Sequence, residues 1–254
     1  AVVEIGSTAT ANFDPVFVAG IIPAVEVTSG PIISEFLTDN GEGIEDEDGN
    51  KPDWLELYNG TSSPMDLTGW ALTNNAGTPK KWPLPSGLIL QPFEYRLVFA
   101  SSKNRQTPQL HTNFNLSKSS GYVALNRPDG SAASSYAYGA QSEDVSYGIK
   151  GASLATGFLA TPTPGYANVG TQSPNGPAAD VVFSAASGVF GSPFSLCLSL
   201  PAGTPGTAVI RYTTDLSEPV ETSAIYSAPI NITNSTTVRA RVYQPDHLPG
   251  AIGN

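Results

Sequence analysis

Apolar and polar residues alternate in short runs along most of this chain, and the runs are separated by clusters of Gly, Pro, Asn and Asp. Successive side chains of an extended segment point to opposite faces, so alternation with period two predicts strands that turn one face toward a core. Ile32-Ile33-Ser34-Glu35-Phe36-Leu37 opens the series, and Trp54-Leu55-Glu56-Leu57-Tyr58 alternates until it turns at Asn59-Gly60. Trp70-Ala71-Leu72-Thr73, Leu88-Ile89-Leu90 and Tyr95-Arg96-Leu97-Val98-Phe99-Ala100 follow. Tyr122-Val123-Ala124-Leu125 leads into Arg127-Pro128-Asp129-Gly130, a hairpin-type turn. Val145-Ser146-Tyr147-Gly148 predicts one more strand. A second series holds Val181-Val182-Phe183, Phe194-Ser195-Leu196-Cys197-Leu198, Ala208-Val209-Ile210-Arg211-Tyr212-Thr213 and Thr237-Val238-Arg239-Ala240-Arg241-Val242-Tyr243.

Many short strands at regular spacing, with turns between them, predict an all-β chain of sandwich modules. The break between the two series is visible in composition. Thr161-Pro162-Thr163-Pro164-Gly165 and Gln172-Ser173-Pro174-Asn175-Gly176-Pro177 are rich in proline, which restricts the backbone and withholds a ladder donor. The segment reads as a semi-stiff linker. The expected organisation is therefore an N-terminal extension or extra strand over 1–30, a first module over 31–168, a Pro/Gly linker over 169–178 and a second module over 179–254.

Composition narrows the class. Apolar residues make up 40% of the 254, enough for ordinary cores, while charged residues are only 13%, about half the usual share. With 25 glycines and 22 prolines the chain favours strands and turns over helices. The net charge of −10 repels phosphate backbones and anionic lipid, which argues against nucleic-acid binding and membrane adhesion. The most apolar early run, Val16 to Val25, is interrupted by Gly20 and Pro23 and falls short of the about 20 residues of a membrane span. The chain begins at Ala1 rather than Met, which reads as a processed or trimmed start. One cysteine excludes an internal disulfide, and Cys197, inside an alternating run, reads as a small buried apolar residue.

Catalytic signatures are missing. The chain has no Gly-x-Ser-x-Gly elbow, no His-Glu-x-x-His and no phosphate loop, and its two histidines, His111 and His247, are far apart. His111 reads as part of a turn and His247 as an exposed residue near the last strand. Glu35 and Glu56 are the one pair of carboxyls on predicted strands, and they read as belonging to an exposed face. The expectation is a protein that is not an enzyme, with no catalytic residue and no cofactor.

Two local features could bind something. Asp39, Glu42, Glu45, Asp46, Glu47, Asp48, Asp53 and Glu56 crowd between residues 39 and 56, opposed locally by Lys51 alone. Asp46, Asp48, Asn50 and Asp53 are a candidate calcium loop, since Ca²⁺ takes several oxygens from a tight turn. Lys51 and Leu57 stand where an EF-hand needs Gly and Glu, so it is not an EF-hand, and a solvated loop is the plainer reading. Trp54 and Tyr58 share a face opposite Leu55 and Leu57. They are candidate ligand residues, a stacking platform for sugar rings if that face is open and core packing if it is not.

The order of these pieces carries a resemblance. Ile33-Ser34-Glu35-Phe36, Asp53-Trp54-Leu55-Glu56-Leu57-Tyr58-Asn59, Asp66-Leu67-Thr68-Gly69-Trp70-Ala71-Leu72-Thr73, Leu97-Val98-Phe99-Ala100-Ser101, His111-Thr112-Asn113-Phe114 and Asp144-Val145-Ser146-Tyr147-Gly148 together resemble the lamin tail domain in its bacterial extracellular form. The second module, through Ile210-Arg211-Tyr212-Thr213-Thr214-Asp215-Leu216-Ser217-Glu218-Pro219 and Thr237-Val238-Arg239-Ala240-Arg241, is similar to the Fn3-like domain at the C-terminus of chitobiase and β-hexosaminidase. Leu216 departs from that pattern, which has Gly after the Asp. The resemblance implies two tandem immunoglobulin-like β-sandwich domains without glycosidase activity. It also implies an accessory region of a larger secreted or cell-surface polypeptide, with neighbouring domains. Its partners would be protein, reached through loops or edge strands, or in the alternative a cell-wall polysaccharide.

Overall fold

A computed structural model describes residues 30–151 and 154–254, and no helix occurs among them. The expected extension over 1–30 lies, apart from Gly30, outside the described residues. The first strands in chain order are β1 (Ile32–Leu37), β2 (Asp53–Tyr58), β3 (Met65–Asp66), β4 (Ala71–Thr73), β5 (Trp82–Pro83), β6 (Ile89–Leu90) and β7 (Tyr95–Ala100). There follow β8 (Gly121–Asn126), β9 (Ala132–Tyr138), β10 (Ser146–Lys150), β11 (Ala155–Leu159), β12 (Gln172–Ser173), β13 (Asn175–Pro177) and β14 (Val182–Phe183). The last are β15 (Phe194–Leu196), β16 (Leu198–Ser199), β17 (Val209–Thr213), β18 (Ala224–Ile225), β19 (Ile230–Ile232), β20 (Arg239–Tyr243) and β21 (His247–Leu248).

The first module is a sandwich. A large sheet in the order β12-β11-β10-β1-β2-β7 faces a smaller one in the order β5-β4-β8-β9. Ile33, Phe36, Leu55, Leu57 and Val98 of the large sheet meet Leu72, Trp82, Val123 and Leu125 of the small one in a single buried cluster. Full burial of each such side chain contributes about 1.5–3 kcal/mol, so this cluster is the main source of the module's stability.

Strict alternation would turn Ile33 and Phe36 to opposite faces, yet both lie in the inner core. A bulge resolves the conflict. Ile33 pairs with Leu57 and the next partner of β2, Glu56, is Glu35, so Ser34 is the extra residue. After the bulge Phe36 points inward, while Glu35 turns to the outer face of the sheet, opposite Glu56.

That outer face is covered rather than open. Trp54 packs there with Leu37 and Phe99, under Ile44 of the acidic loop. Tyr58 packs with Ile32, Phe93, Tyr95 and Ile149, its ring stacked on Tyr95 at 4.3 Å. The reading of Glu35 and Glu56 as exposed is corrected for the same reason: both are fully buried. A sequence pattern records which side chains share a face, but not which later segment folds over it.

The second module buries Leu196, Leu198, Ile210, Val238, Ala240 and Val242 between the sheet β18-β17-β20 and the pairs β14-β16 and β15-β19. Cys197 is exposed, contrary to expectation. Leu196 and Leu198 both face the core, so the residue between them must face away.

Residues 169–178, read as a linker, are built into both modules. β12 extends the large sheet through pairing with β11, and two residues later β13 pairs in parallel with β21 of the second module. The Ala178 N–H donates to the Leu248 carbonyl at 2.8 Å. Proline does not prevent this, because Pro174 and Pro177 leave the N–H groups of Asn175 and Ala178 free to donate, at 3.3 and 2.8 Å.

Candidate functional site

The acidic loop between β1 and β2 is held in shape by its own backbone. Asp46 Oδ1 accepts the N–H groups of Asp48 at 2.9 Å and Asn50 at 3.0 Å, which closes the turn at Gly49, φ +74°. The charges are then neutralised by the segment that follows β7. Lys103 Nζ sits 2.5 Å from Asp46 Oδ2 and 2.6 Å from Asp48 Oδ2. Arg105 bonds Asp48 and reaches Glu47 Oε1 at 3.0 Å. Burial pushes the Asp46 carboxyl up, but the Lys103 ammonium and the two N–H groups outweigh it and hold the carboxyl below its ordinary value. The Arg105 guanidinium and then Lys103 hold Asp48 far below the usual range.

The four candidate calcium ligands are not assembled into a site. Asp46 and Asp48 are ion-paired, Asn50 contributes its backbone N–H to Asp46, and Asp53 Oδ2 accepts the Leu116 N–H at 3.1 Å on the other side of the loop. Burial pushes Asp53 up to about 7, against that hydrogen bond and with the help of Asp39. Among the described residues no group of three or more His, Cys, Asp or Glu side chains is placed to hold a metal. Lys51 is the only cation near in sequence; the ones that matter, Lys103 and Arg105, come from another strand connection and were invisible to a local reading.

His111 completes this network. Its Nε2 lies 2.7 Å from Glu47 Oε2 and its Nδ1 lies 2.8 Å from Ser101 Oγ, with the ring stacked on Phe99 at 5.2 Å. A hydroxyl, an imidazole and a carboxylate in series are the parts of a serine nucleophile relay. Such a relay requires the imidazole to pass its proton to a leaving group, and the His111 side chain has no exposed surface. The same contacts make a strut that pins the loop to the end of β7. Sequence reasoning missed Ser101 and Glu47 as partners of His111, and nothing in their spacing marks them.

Glu35 and Glu56 form a second cluster. Ser146 Oγ bonds Glu35, and Ser34 Oγ donates to Glu56 Oε1 at 2.6 Å. The segment between β11 and β12 crosses above them. Thr163 N–H and Oγ1 donate to Glu35 at 3.1 Å, and the Gly165 N–H donates to Glu56. Burial pushes Glu35 up to about 7 and Glu56 up to about 8 against these donors, and the nearby Glu35 carboxyl adds to the rise at Glu56. A pair this deep, beneath a strap of the same chain, has no cleft in which a glycoside could lie between the carboxyls. Trp54 and Tyr58, equally buried, offer no platform to a sugar ring.

An open concavity lies in the second module, where the sequence placed no candidate ligand residue. A groove of 570 Å³ runs between the 185–193 loop and the 233–237 loop. Phe183, Phe190, Phe194 and Ile232 line it, with Asn234 and Thr236 among the polar residues beside them. Phe190 packs against Phe194 with ring centroids 4.4 Å apart and the rings tilted by 39°, and remains half exposed. Among the described residues lining it there is no Asp, Glu, Lys, Arg or His.

Comparison with known proteins agrees with this architecture. Residues 25–140 match the family model of the Lamin Tail Domain, and residues 198–253 match that described as Fn3 associated. No curated protein and no solved structure matches the chain at a significant level. The described strands of the large sheet continue past residue 140 through β10, β11 and β12. The chain therefore carries a lamin tail domain of immunoglobulin-like β-sandwich fold followed by an Fn3-associated domain, both of them accessory rather than catalytic types.

Proposed function

We propose that this chain is a non-enzymatic accessory unit of a secreted or cell-surface protein, and that it holds two sandwich modules in a fixed relation so as to space or display what is joined to them. The observation that carries this reading is the junction: β12 is paired to the first module and β13 to the second, with only Pro174 between. A free tether would have neither pairing. The chemistry of the sites supports the same reading, because Asp46, Glu47 and Asp48 of the acidic loop are ion-paired to Lys103 and Arg105, and the His111 imidazole between Ser101 and Glu47 has no exposed surface. Two measurements test it together. Backbone ¹⁵N relaxation should give both modules one rotational correlation time, and a fluorophosphonate probe should leave Ser101 unlabelled. Separate correlation times, or labelling lost in Ser101→Ala, would refute it.

A second reading is favoured by the groove. An uncharged concavity with phenyl faces and hydroxyl and amide side chains matches a neutral sugar, which has one apolar ring face and many hydroxyls. In this reading the Fn3-associated domain binds extracellular or cell-wall polysaccharide at Phe190, and the lamin tail domain positions it.

A further inference from the structure

We propose that Glu35 and Glu56 form a proton-held latch that ties the strap 161–168 to the outer face of the large sheet in acidic and neutral conditions and loosens it in alkaline ones. The geometry comes first. The Ser34 bulge places the two carboxyls on directly paired residues of neighbouring strands, both fully buried. The strap lies against them through Thr163 and Gly165, and Asn168 fastens its far end by donating to the Ser34 carbonyl at 3.0 Å and to the Ile149 carbonyl. The fit is close. A Cβ on Gly148, the β10 partner of Glu35, would fall 2.4 Å from the Ser34 carbonyl oxygen and 3.0 Å from Asn168 Nδ2. The strap and the sheet thus meet in close contact beside Glu35.

Among the described residues no cation is paired with them. On β7 the residue opposite Glu56 is Leu97, and Arg96 beside it is paired with Glu94. On β10, Lys150 bonds the Gly170 carbonyl at the end of the strap, not either carboxyl. The remaining titratable neighbours are phenols: Tyr58, then Tyr95, where burial pushes ionisation further up, and Tyr166 on the strap itself, whose backbone bonds Glu56. Two like charges at this depth with no counter-ion are strongly unfavourable, so at least one carboxyl must carry a proton while the strap is closed.

The sign follows. Both carboxyls have folded values above the ordinary 4.5, so their contribution to the closed state is complete below about 4.5 and is lost as pH rises through the range from about 7 to about 8. The Thr163 and Gly165 donors favour an ionised carboxyl, but loss of the last proton leaves two buried like charges whose repulsion and lost solvation outweigh those donors. The strap is the stretch of chain that leads into β12 and β13, so its release acts where the two modules join.

The test is amide hydrogen exchange of the full chain, corrected for the intrinsic pH dependence of exchange. Protection of the Thr163 and Gly165 amides should fall at least tenfold between pH 6 and pH 9.5, while Leu72 and Val123 in the small sheet stay unchanged. Glu35→Gln, which cannot add the second charge, should retain its protection at pH 9.5. Should that variant fold poorly, ¹³C titration of the wild-type carboxyls decides, and the latch requires at least one of them to ionise above pH 6.5. Equal strap protection at pH 6 and pH 9.5 in the wild type, or ionisation of both carboxyls below pH 5, would overturn it.

Discussion

The carbonyl of Asp246, in the second module, accepts a 2.6 Å hydrogen bond from the Ser173 hydroxyl, in the first. Asn175 Nδ2 donates to the same oxygen at 2.9 Å and the Asn175 N–H at 3.3 Å. Three donors from the joining segment thus converge on one acceptor in the turn before β21, held by a positive φ of 58° at Asp246. Ser173 is buried, so truncating it removes the shortest of the three hydrogen bonds to that carbonyl. Ser173→Ala is expected to destabilise the protein by about 1 kcal/mol in urea titration. An unchanged midpoint would mean that the contact is incidental.

The stapling of the acidic loop predicts a response to pH opposite to that of the Glu35–Glu56 pair. Asp46 and Asp48 are held below the ordinary carboxylate value of 3.8, so what they contribute is present above it and is lost as pH falls. Lys103→Met should lower the melting temperature at pH 7 by several degrees, a difference that begins to shrink near pH 3.8 and closes only well below it. Because the ammonium and guanidinium already occupy the loop, millimolar calcium or a chelator should leave the wild-type melting temperature where it is. Stabilisation by calcium would contradict this account of the loop.

Leu216 is the residue that departs from the resemblance stated for the second module, standing where Gly is usual after Asp215. It adopts φ +69° with its side chain exposed. The left-handed region costs a residue with a Cβ about 1–2 kcal/mol, and an exposed leucine recovers little of that in packing. Leu216→Gly should therefore stabilise the module by about 1 kcal/mol or leave it unchanged, after allowance for the extra freedom of glycine in the unfolded chain. Destabilisation by a similar amount would show that Leu216 makes a contact worth keeping.

Phe190 separates the two readings of function. Removing a half-exposed phenyl from the groove should cost little stability. If the groove takes neutral sugars, titration with soluble chito- or cello-oligosaccharides should shift the amide resonances of the 185–193 and 233–237 loops, and Phe190→Ala should weaken binding at least tenfold. No shift at millimolar oligosaccharide leaves spacing and display as the role.

The fold class was legible because the period-two runs are real strands. Leu55 and Leu57, and Leu196 and Leu198, face cores as alternation requires. The sites were much less so. One inserted residue, Ser34, reversed the face of everything after it in β1, and no propensity marks Ser as a bulge. Trp54 and Tyr58 do share a face opposite Leu55 and Leu57, but burial of that face depends on the 161–168 strap and the 39–52 loop, which lie far apart in the chain. The same non-locality hid Lys103 and Arg105 from the acidic loop. Prolines in 169–178 suggested a tether because they lack donors, while the residues that follow them, Asn175 and Ala178, supply the donors that bind the segment down.

Fixed spacing between the modules is the claim on which the proposed function rests, and the lone cysteine allows it to be measured directly. Cys197 is exposed in the second module, and Ser120 is exposed in a loop of the first. With spin labels at Cys197 and at Ser120→Cys, pulsed electron–electron resonance reports the distribution of distances between the modules. A single narrow distribution at pH 6 that broadens in Ser173→Ala/Asn175→Ala is the predicted result. A broad distribution in the otherwise unaltered protein at pH 6 would contradict it.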